Sequence, residues 1–177
     1  MKKFLSAVLL GAAFLLPVAA QAGDSYLKFS MGQSEYKVDD YSEGKTAVSL
    51  GYGFSVDKNF DIEFGYLNLG KLKYTNDAAS GSIHTQSIYV AGVNTLPVTD
   101  KFSVFGKLGI AVNHFKGKAT ALNTNFSETE TKTRALLGLG LAYDFTQQIA
   151  GTLEYQYLGK VEDTKLSALT VGLKYGF

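Results

Sequence analysis

The strongest constraint on this sequence is a period of two. Eight times along the chain apolar residues alternate with small or polar ones over a strand's length, and the stretches are separated by segments rich in Gly, Ser, Asn, Asp and Lys. The stretch LSALTVGLKYGF at 166–177 sets Leu169, Val171, Leu173, Tyr175 and Phe177 on one face against Ala168, Thr170, Gly172, Lys174 and Gly176 on the other. Around 25–33, Leu27, Phe29 and Met31 oppose Lys28, Ser30 and Gly32, and around 46–54, Val48, Leu50, Tyr52 and Phe54 oppose Ala47, Ser49, Gly51 and Gly53. Phe60, Ile62, Phe64 and Tyr66 oppose Asp61, Glu63 and Gly65 around 59–68, and Val104, Leu108, Ile110 and Val112 oppose Ser103, Phe105, Lys107 and Gly109 around 101–113. Around 133–145, Ala135, Leu137, Leu139, Leu141 and Tyr143 face away from Arg134, Gly138, Gly140, Ala142 and Asp144. Around 148–157, Ile149, Leu153, Tyr155 and Tyr157 oppose Thr152, Glu154 and Gln156. The segment 86–96 is ambiguous, because Ile88, Val90 and Leu96 compete with Tyr89, Ala91 and Val93; Ile88 and Val90 are assigned to the outer face.

Such a chain is all-β, and the question is which face meets water. Residues 1–22 read as a secretory signal peptide: Lys2 and Lys3 precede an apolar run from Phe4 to Leu16 and an Ala20-Gln21-Ala22 cleavage motif. That leaves 23–177 as a single exported domain. The full chain has no cysteine, so disulfides cannot hold it, and its 11 Tyr, 12 Phe and 19 Gly against two Pro favour strands over helical packing. No apolar run after Ala22 resembles a spanning helix, and a formal net charge of +1 offers no basic stripe for nucleic acid.

A soluble sandwich with an apolar interior and a membrane barrel with an apolar exterior both fit the alternation, but the polar faces discriminate. They hold nearly all the strand glycines, which suits a crowded lumen better than a solvated sheet surface. They also hold every strand charge, namely Lys28, Lys107, Arg134 and Lys174 against Asp61, Glu63, Asp144 and Glu154. A lysine or arginine facing lipid near the midplane costs about 2–4 kcal/mol, whereas opposite charges in a lumen pair. Connections near 55–58, 97–100 and 146–147 are tight, while those near 34–45, 69–85, 114–132 and 158–165 are long, in strict alternation. That is the asymmetry of an outer-membrane barrel with short periplasmic turns, extracellular loops and both termini periplasmic. The expectation is an eight-stranded antiparallel up-and-down transmembrane β-barrel in the bacterial outer membrane, surrounded by its lipids.

The sequence resembles the small eight-stranded barrels of the OmpA-like and opacity-protein group, most closely in FDIEFGYLNLG, TLPVTDKFSVFGKLGIA, GLGLAYDFTQQIAGTLEYQY and the ending VGLKYGF. The resemblance implies insertion by the outer-membrane assembly machinery, with Leu169, Val171, Leu173, Tyr175 and Phe177 as the assembly signal. It also implies a ladder of buried opposite charges: Glu63, Lys107 and Glu154 fall at matching positions, while Val93, Ala142 and Thr152 occupy others. A gate built on exchange of salt-bridge partners is therefore in doubt. Lys107 and Glu154 each lie about six residues from their periplasmic turn, roughly 15 Å at a 3.3 Å rise and 40° tilt, which places them in one layer and predicts a pair. Members of the group often carry a peptidoglycan-binding domain after the barrel; the sequence stops at Phe177, so that tethering role is not expected.

Enzymatic chemistry has little to stand on. His84 and Ser87 are three residues apart and point to opposite strand faces, and His114 has no serine or carboxylate at useful spacing; both histidines read as surface-loop residues. The first long loop gathers Asp39, Asp40 and Glu43 near Tyr36 and Tyr41 without a calcium-loop spacing, and reads as a solvated acidic loop. The third, KGKATALNTNFSETETKT, reads as mobile and exposed. No cofactor or metal is expected. The leading reading is a structural or surface-interaction protein, a surface antigen whose loops meet a host or surface ligand; a narrow channel or carrier for small or apolar solutes is second, and a lipid-modifying enzyme third.

Overall fold

A computed structural model of the chain describes residues 25–38, 41–76, 79–121, 124–161 and 164–177. Residues 1–22, read as a signal peptide, and Asp39 and Asp40 of the acidic loop lie outside these residues. Eight strands make up the described chain: β1 (Ser25–Val38), β2 (Tyr41–Asp57), β3 (Phe60–Asn76), β4 (Ala79–Pro97), β5 (Phe102–Ala121), β6 (Thr124–Asp144), β7 (Ile149–Val161) and β8 (Thr164–Gly176). Each pairs antiparallel with its chain neighbours, and β8 pairs with β1 to close the barrel. The seam is sealed at its end by Phe177, whose amide donates to the Ser25 carbonyl at 2.9 Å and whose carbonyl accepts from the Ser25 amide at 3.1 Å. Closure leaves no strand edge, the one way a sheet satisfies its backbone in lipid.

The alternation becomes an outside and an inside. Leu139 is 68% exposed, Leu108 65% and Val171 61%, while Lys28, Glu63, Lys107 and Glu154 are each at most 3% exposed. In the ambiguous segment Ile88 and Val90 face out, and Tyr89, Ala91 and Val93 face in. The three tight turns lie at one end of the barrel. Two use the same device: Thr99 Oγ1 accepts from the amides of Lys101 and Phe102, and Thr146 Oγ1 from those of Gln148 and Ile149.

The other end departs from the sequence expectation. The segments 34–45, 69–85, 114–132 and 158–165 are not loops over their length, because the strands run on as paired hairpins, with β5 and β6 in continuous register from Phe102↔Tyr143 to Ala121↔Thr124. The stretch KGKATALNTNFSETETKT, expected to be a mobile loop, lies mostly within β5 and β6. Two hairpins take a bulge, between Asn68 and Lys71 and between Tyr157 and Lys160, at Gly70 and Gly159. Both glycines have φ of 85°, a conformation that is strained for a residue with a Cβ. Inside this extended end the lumen holds an apolar cluster among a few buried hydroxyls: Leu67, Leu69, Leu136, Leu158 and Leu166 are fully buried and pack with Tyr36, Ala47, Ala111 and Ala168, while Ser34, Thr85 and Ser167 are buried beside them. Burial of each leucine contributes about 1.5–3 kcal/mol.

Candidate functional site in the barrel lumen

Alternate strands carry the charges of the lumen. Lys28 comes from β1, Glu63 from β3, Lys107 from β5 and Glu154 from β7, and all four meet. Lys28 Nζ lies 3.0 Å from Glu63 Oε2 and 2.8 Å from Glu154 Oε2; Lys107 Nζ lies 2.8 Å from Glu63 Oε1 and 2.5 Å from Glu154 Oε1. Each charge thus touches two of the opposite sign, and the ring is neutral. The intervening strands leave room for it: Gly51 of β2 faces Lys28, and Gly138 of β6 faces Lys107. A Cβ on Gly138 would stand 3.0 Å from Lys107 Cβ and 3.3 Å from Glu154 Oε1.

Tyrosine hydroxyls complete the site. Tyr26 donates to Glu63 Oε2 at 2.9 Å and Tyr89 to Glu63 Oε1 at 2.6 Å, while Gln156 Nε2 donates to Glu154 Oε1 at 2.7 Å. Glu63 is therefore the acceptor for two ammonium groups and two phenols. Each tyrosine lies across a neighbouring strand at a glycine: a Cβ on Gly53 or on Gly65 would fall 2.2 Å from Cζ of Tyr26 or Tyr89 respectively. Lys107 Nζ stands 5.2 Å from the Tyr89 ring centroid and Lys28 Nζ 5.8 Å from that of Phe105, so the cations also rest on aromatic faces. Such a buried ring gives geometric uniqueness more than net stability, since desolvation offsets much of the attraction, but deleting one member leaves an uncompensated charge.

The other four charges assigned to the lumen stand apart from this ring. Asp61 accepts from Ser55 Oγ at 2.7 Å near the turn end. Lys174 Nζ sits 4.2 Å over the Tyr26 ring, and Asp144 is exposed. Both border a cavity of about 140 Å³ whose walls include Lys28, Glu63 and Phe105, so the ring roofs a vestibule at the turn end. Arg134 does not join the ring: its Nε donates to the Lys160 carbonyl at 2.8 Å and Nη1 to the Thr133 carbonyl at 2.9 Å, at the hairpin end. Above the ring Ser87 donates to Asn113 Oδ1 at 2.5 Å, and above that the leucines fill the bore. Ser87 lies in the lumen while His84 lies on the outer face, bonded to Asn68 Oδ1 at 3.1 Å; His114 is bonded to Thr131. Both histidines are in strands rather than loops.

Sequence reasoning named all four ring members but paired only Lys107 with Glu154. It missed Tyr26 and Tyr89, whose signal was available: each is an aromatic on the inner face with a glycine directly opposite, Gly53 and Gly65.

A closed eight-stranded barrel with an apolar exterior and a charged interior is a membrane architecture, and a family model described as the OmpA-like transmembrane domain matches residues 17–177. The chain belongs to the OmpA-like transmembrane domain family. Outer membrane protein A of Shigella flexneri is 25% identical over 188 residues, covering 98% of this chain and 54% of the relative, and that of Salmonella typhi is 26% identical over 189 residues with the same coverage. The chain spans about half the length of these curated relatives. Among solved structures, Ail, the attachment invasion locus protein of Yersinia pestis, in complex with the heparin analogue sucrose octasulfate, superposes with a TM-score of 0.68 at 22% identity, covering 88% of this chain and 99% of that one. Neisserial surface protein A gives 0.66 at 13% identity with the same coverage. These likenesses establish the fold. The OmpA-like barrel is thus an integral protein of the bacterial outer membrane, its exposed leucines, valines and aromatics meeting lipid.

Proposed function

We infer that this OmpA-like barrel is a closed scaffold whose extended hairpins form a contact surface outside the cell. The observation that carries this reading is the leucine plug: any path through the bore must pass the charged ring and then the fully buried Leu67, Leu69, Leu136, Leu158 and Leu166. An eight-stranded barrel is just wide enough for its own side chains. The polar surface outside lipid is accordingly on the hairpins, and the capture of Ail with a sulfated sugar supports reading a barrel of this fold as a ligand-contacting surface. A channel is the weaker reading, and an enzyme weaker still, since Ser87 faces Asn113 rather than a base. In this reading residues 1–22 direct export, and Leu169, Val171, Leu173, Tyr175 and Phe177, all outward, serve as the signal read during assembly.

Planar-bilayer recording of the folded protein tests it. The wild type is expected to be silent, and Leu136→Ser with Leu158→Ser is expected to admit ions. Steady wild-type channels would overturn the closed-scaffold reading.

A further inference from the structure

Two positions depart from the pattern of the lipid-facing surface, and the register places them side by side. On β3, β4 and β5 the outward series runs from Phe60 to Tyr66, from Ile88 to Leu96 and from Val104 to Val112, and every member is apolar, aromatic or glycine except Asn94. Asn94 is exposed, and its side-chain amide has no hydrogen-bond partner among the described residues. The exposed Leu96 continues the apolar series on its turn side, so the amide lies within the lipid belt. A carboxamide that meets only acyl chains there is costly, because hydrocarbon neither donates nor accepts.

Directly opposite Asn94 on β5 stands Gly106. Among the described outward positions of the belt, Gly92, Gly106 and Gly151 lack a side chain, and an aromatic ring covers two of them. Phe60 lies over Gly92, where a Cβ would come within 2.9 Å of its Cζ, and Phe145 lies over Gly151, where a Cβ would fall 2.9 Å from its Cε2. Gly106 has nothing within 4 Å of the place its Cβ would take. It lines an open groove of about 900 Å³ whose walls include Asn94, Leu108, Leu139 and Tyr155. Gly106 is paired with Leu139 of β6 and Gly92 with Leu108 of β5, and these are the two most exposed leucines among the described residues. Hollow, ridge and unpaired amide therefore share one patch.

We propose that this patch of β4, β5 and β6 is the contact between two copies of the barrel in the membrane, related by a two-fold axis along the membrane normal. A two-fold relating barrels inserted the same way round must run along the normal, and it brings a residue near the axis to its own copy at the same depth. A carboxamide both donates and accepts, so Asn94 of one copy satisfies Asn94 of the other. The leucine ridge of each copy packs toward the hollow of its neighbour, and a glycine there lets the two sheets approach closely. An acyl chain would fill the hollow and still leave the amide unpaired. The inference holds whether or not the bore conducts.

The chain has no cysteine, so single introduced cysteines report contacts without background. The full barrel, folded in phosphatidylcholine bilayers and labelled at Lys101→Cys with donor or acceptor dye, is expected to show energy transfer that rises with the protein-to-lipid ratio. Excess unlabelled protein should abolish it. Leu96→Cys, on β4 beside the patch, is expected to give a disulfide-linked dimer on oxidation, and Leu173→Cys, on the opposite wall in β8, is not. Asn94→Leu is expected to raise the ratio for half-association roughly three- to tenfold, the span of one hydrogen bond between membrane segments, and Gly106→Phe, which fills the hollow, by roughly tenfold or more. Gel mobility of the unheated protein confirms that both variants are folded. Monomers at every ratio would overturn the proposal and leave the groove to lipid. So would association that either variant leaves unchanged, or equal cross-linking at the Leu96 and Leu173 positions, which would mark crowding without a defined interface.

Discussion

Glu63→Gln is the sharpest test of the charged ring. The substitution keeps size and shape but removes the charge that faces Lys28 at 3.0 Å and Lys107 at 2.8 Å, and it turns an acceptor-only group toward two donating phenols as a half-donor. Lys28 and Lys107 are then left with Glu154 alone, a buried net positive charge. Removing one partner of such a group costs about 3–5 kcal/mol. Tyr26 and Tyr89 add hydrogen bonds to a charged acceptor worth about 1.5–3 kcal/mol each, part of which the glutamine oxygen retains. The expected loss is therefore in the upper part of the range, with Glu154→Gln in the lower part, because Glu154 accepts from Gln156 rather than from two phenols. The chain has no tryptophan, so the folded fraction is read from gel mobility across a urea titration in lipid vesicles. Neutrality makes a second demand: Glu63→Gln with Lys107→Met removes one charge of each sign, and the pair should cost at least about 1 kcal/mol less than the two single losses together. A shift below about 1 kcal/mol for Glu63→Gln, or strict additivity in the double variant, would refute the reasoning.

Three further outcomes follow from particular contacts. Gly65→Val places a Cβ into the Tyr89 ring and should cost about 1–3 kcal/mol by overpacking in addition to displacing the hydroxyl from Glu63, whereas Gly106→Ala, with nothing within 4 Å of its Cβ, should be neutral in the same urea titration. His84 should titrate below the ordinary 6.5, through partial burial first and then Lys116 and Lys71, and Lys116→Gln should raise its NMR midpoint. Because its folded form then binds fewer protons than the unfolded chain, the His84 contribution to stability weakens as pH falls below that value. Deleting Phe177 removes the two backbone hydrogen bonds to Ser25, and we expect outer-membrane levels of the protein to fall more than its urea midpoint once folded; normal levels with a lowered midpoint would reverse that assignment.

The sequence was legible wherever one face met lipid. Alternation identified all eight strands, the facing of Ile88 and Val90, and the three turns, because an apolar outer face permits no interruption. It stopped short at the other end, where the strands outrun the lipid and the pattern inverts. In β3 the outward apolar series Phe60, Ile62, Phe64 and Tyr66 gives way to inward Leu67 and Leu69; in β8 inward Leu166 and Ala168 precede outward Leu169. Read against a single template, this change of face looks like the end of a strand. The ring was half legible for a related reason. Spacing from a turn fixes a residue's level, which brought Lys107 and Glu154 together, but Arg134 and Lys174 shared the correct face at other levels, and face alone does not make contact.

That inversion also explains how the two halves of the lumen differ. Within the lipid the exterior supplies apolar surface, so the interior has only to be filled and neutral, and four charges with two phenols satisfy both conditions. Beyond the lipid the exterior must be polar, and a hairpin with polar residues on both faces would have no driving force to remain paired. The leucines supply it: Leu67, Leu69, Leu136, Leu158 and Leu166 give this end an apolar cluster of its own, while Lys37, Lys71, Lys116, Lys160 and Lys165 face outward. The height at which the apolar face changes sides therefore marks the membrane boundary, and it is the same height at which the lysines begin. In the closed-scaffold reading, closure rests on this cluster beyond the bilayer and not on the charged ring alone.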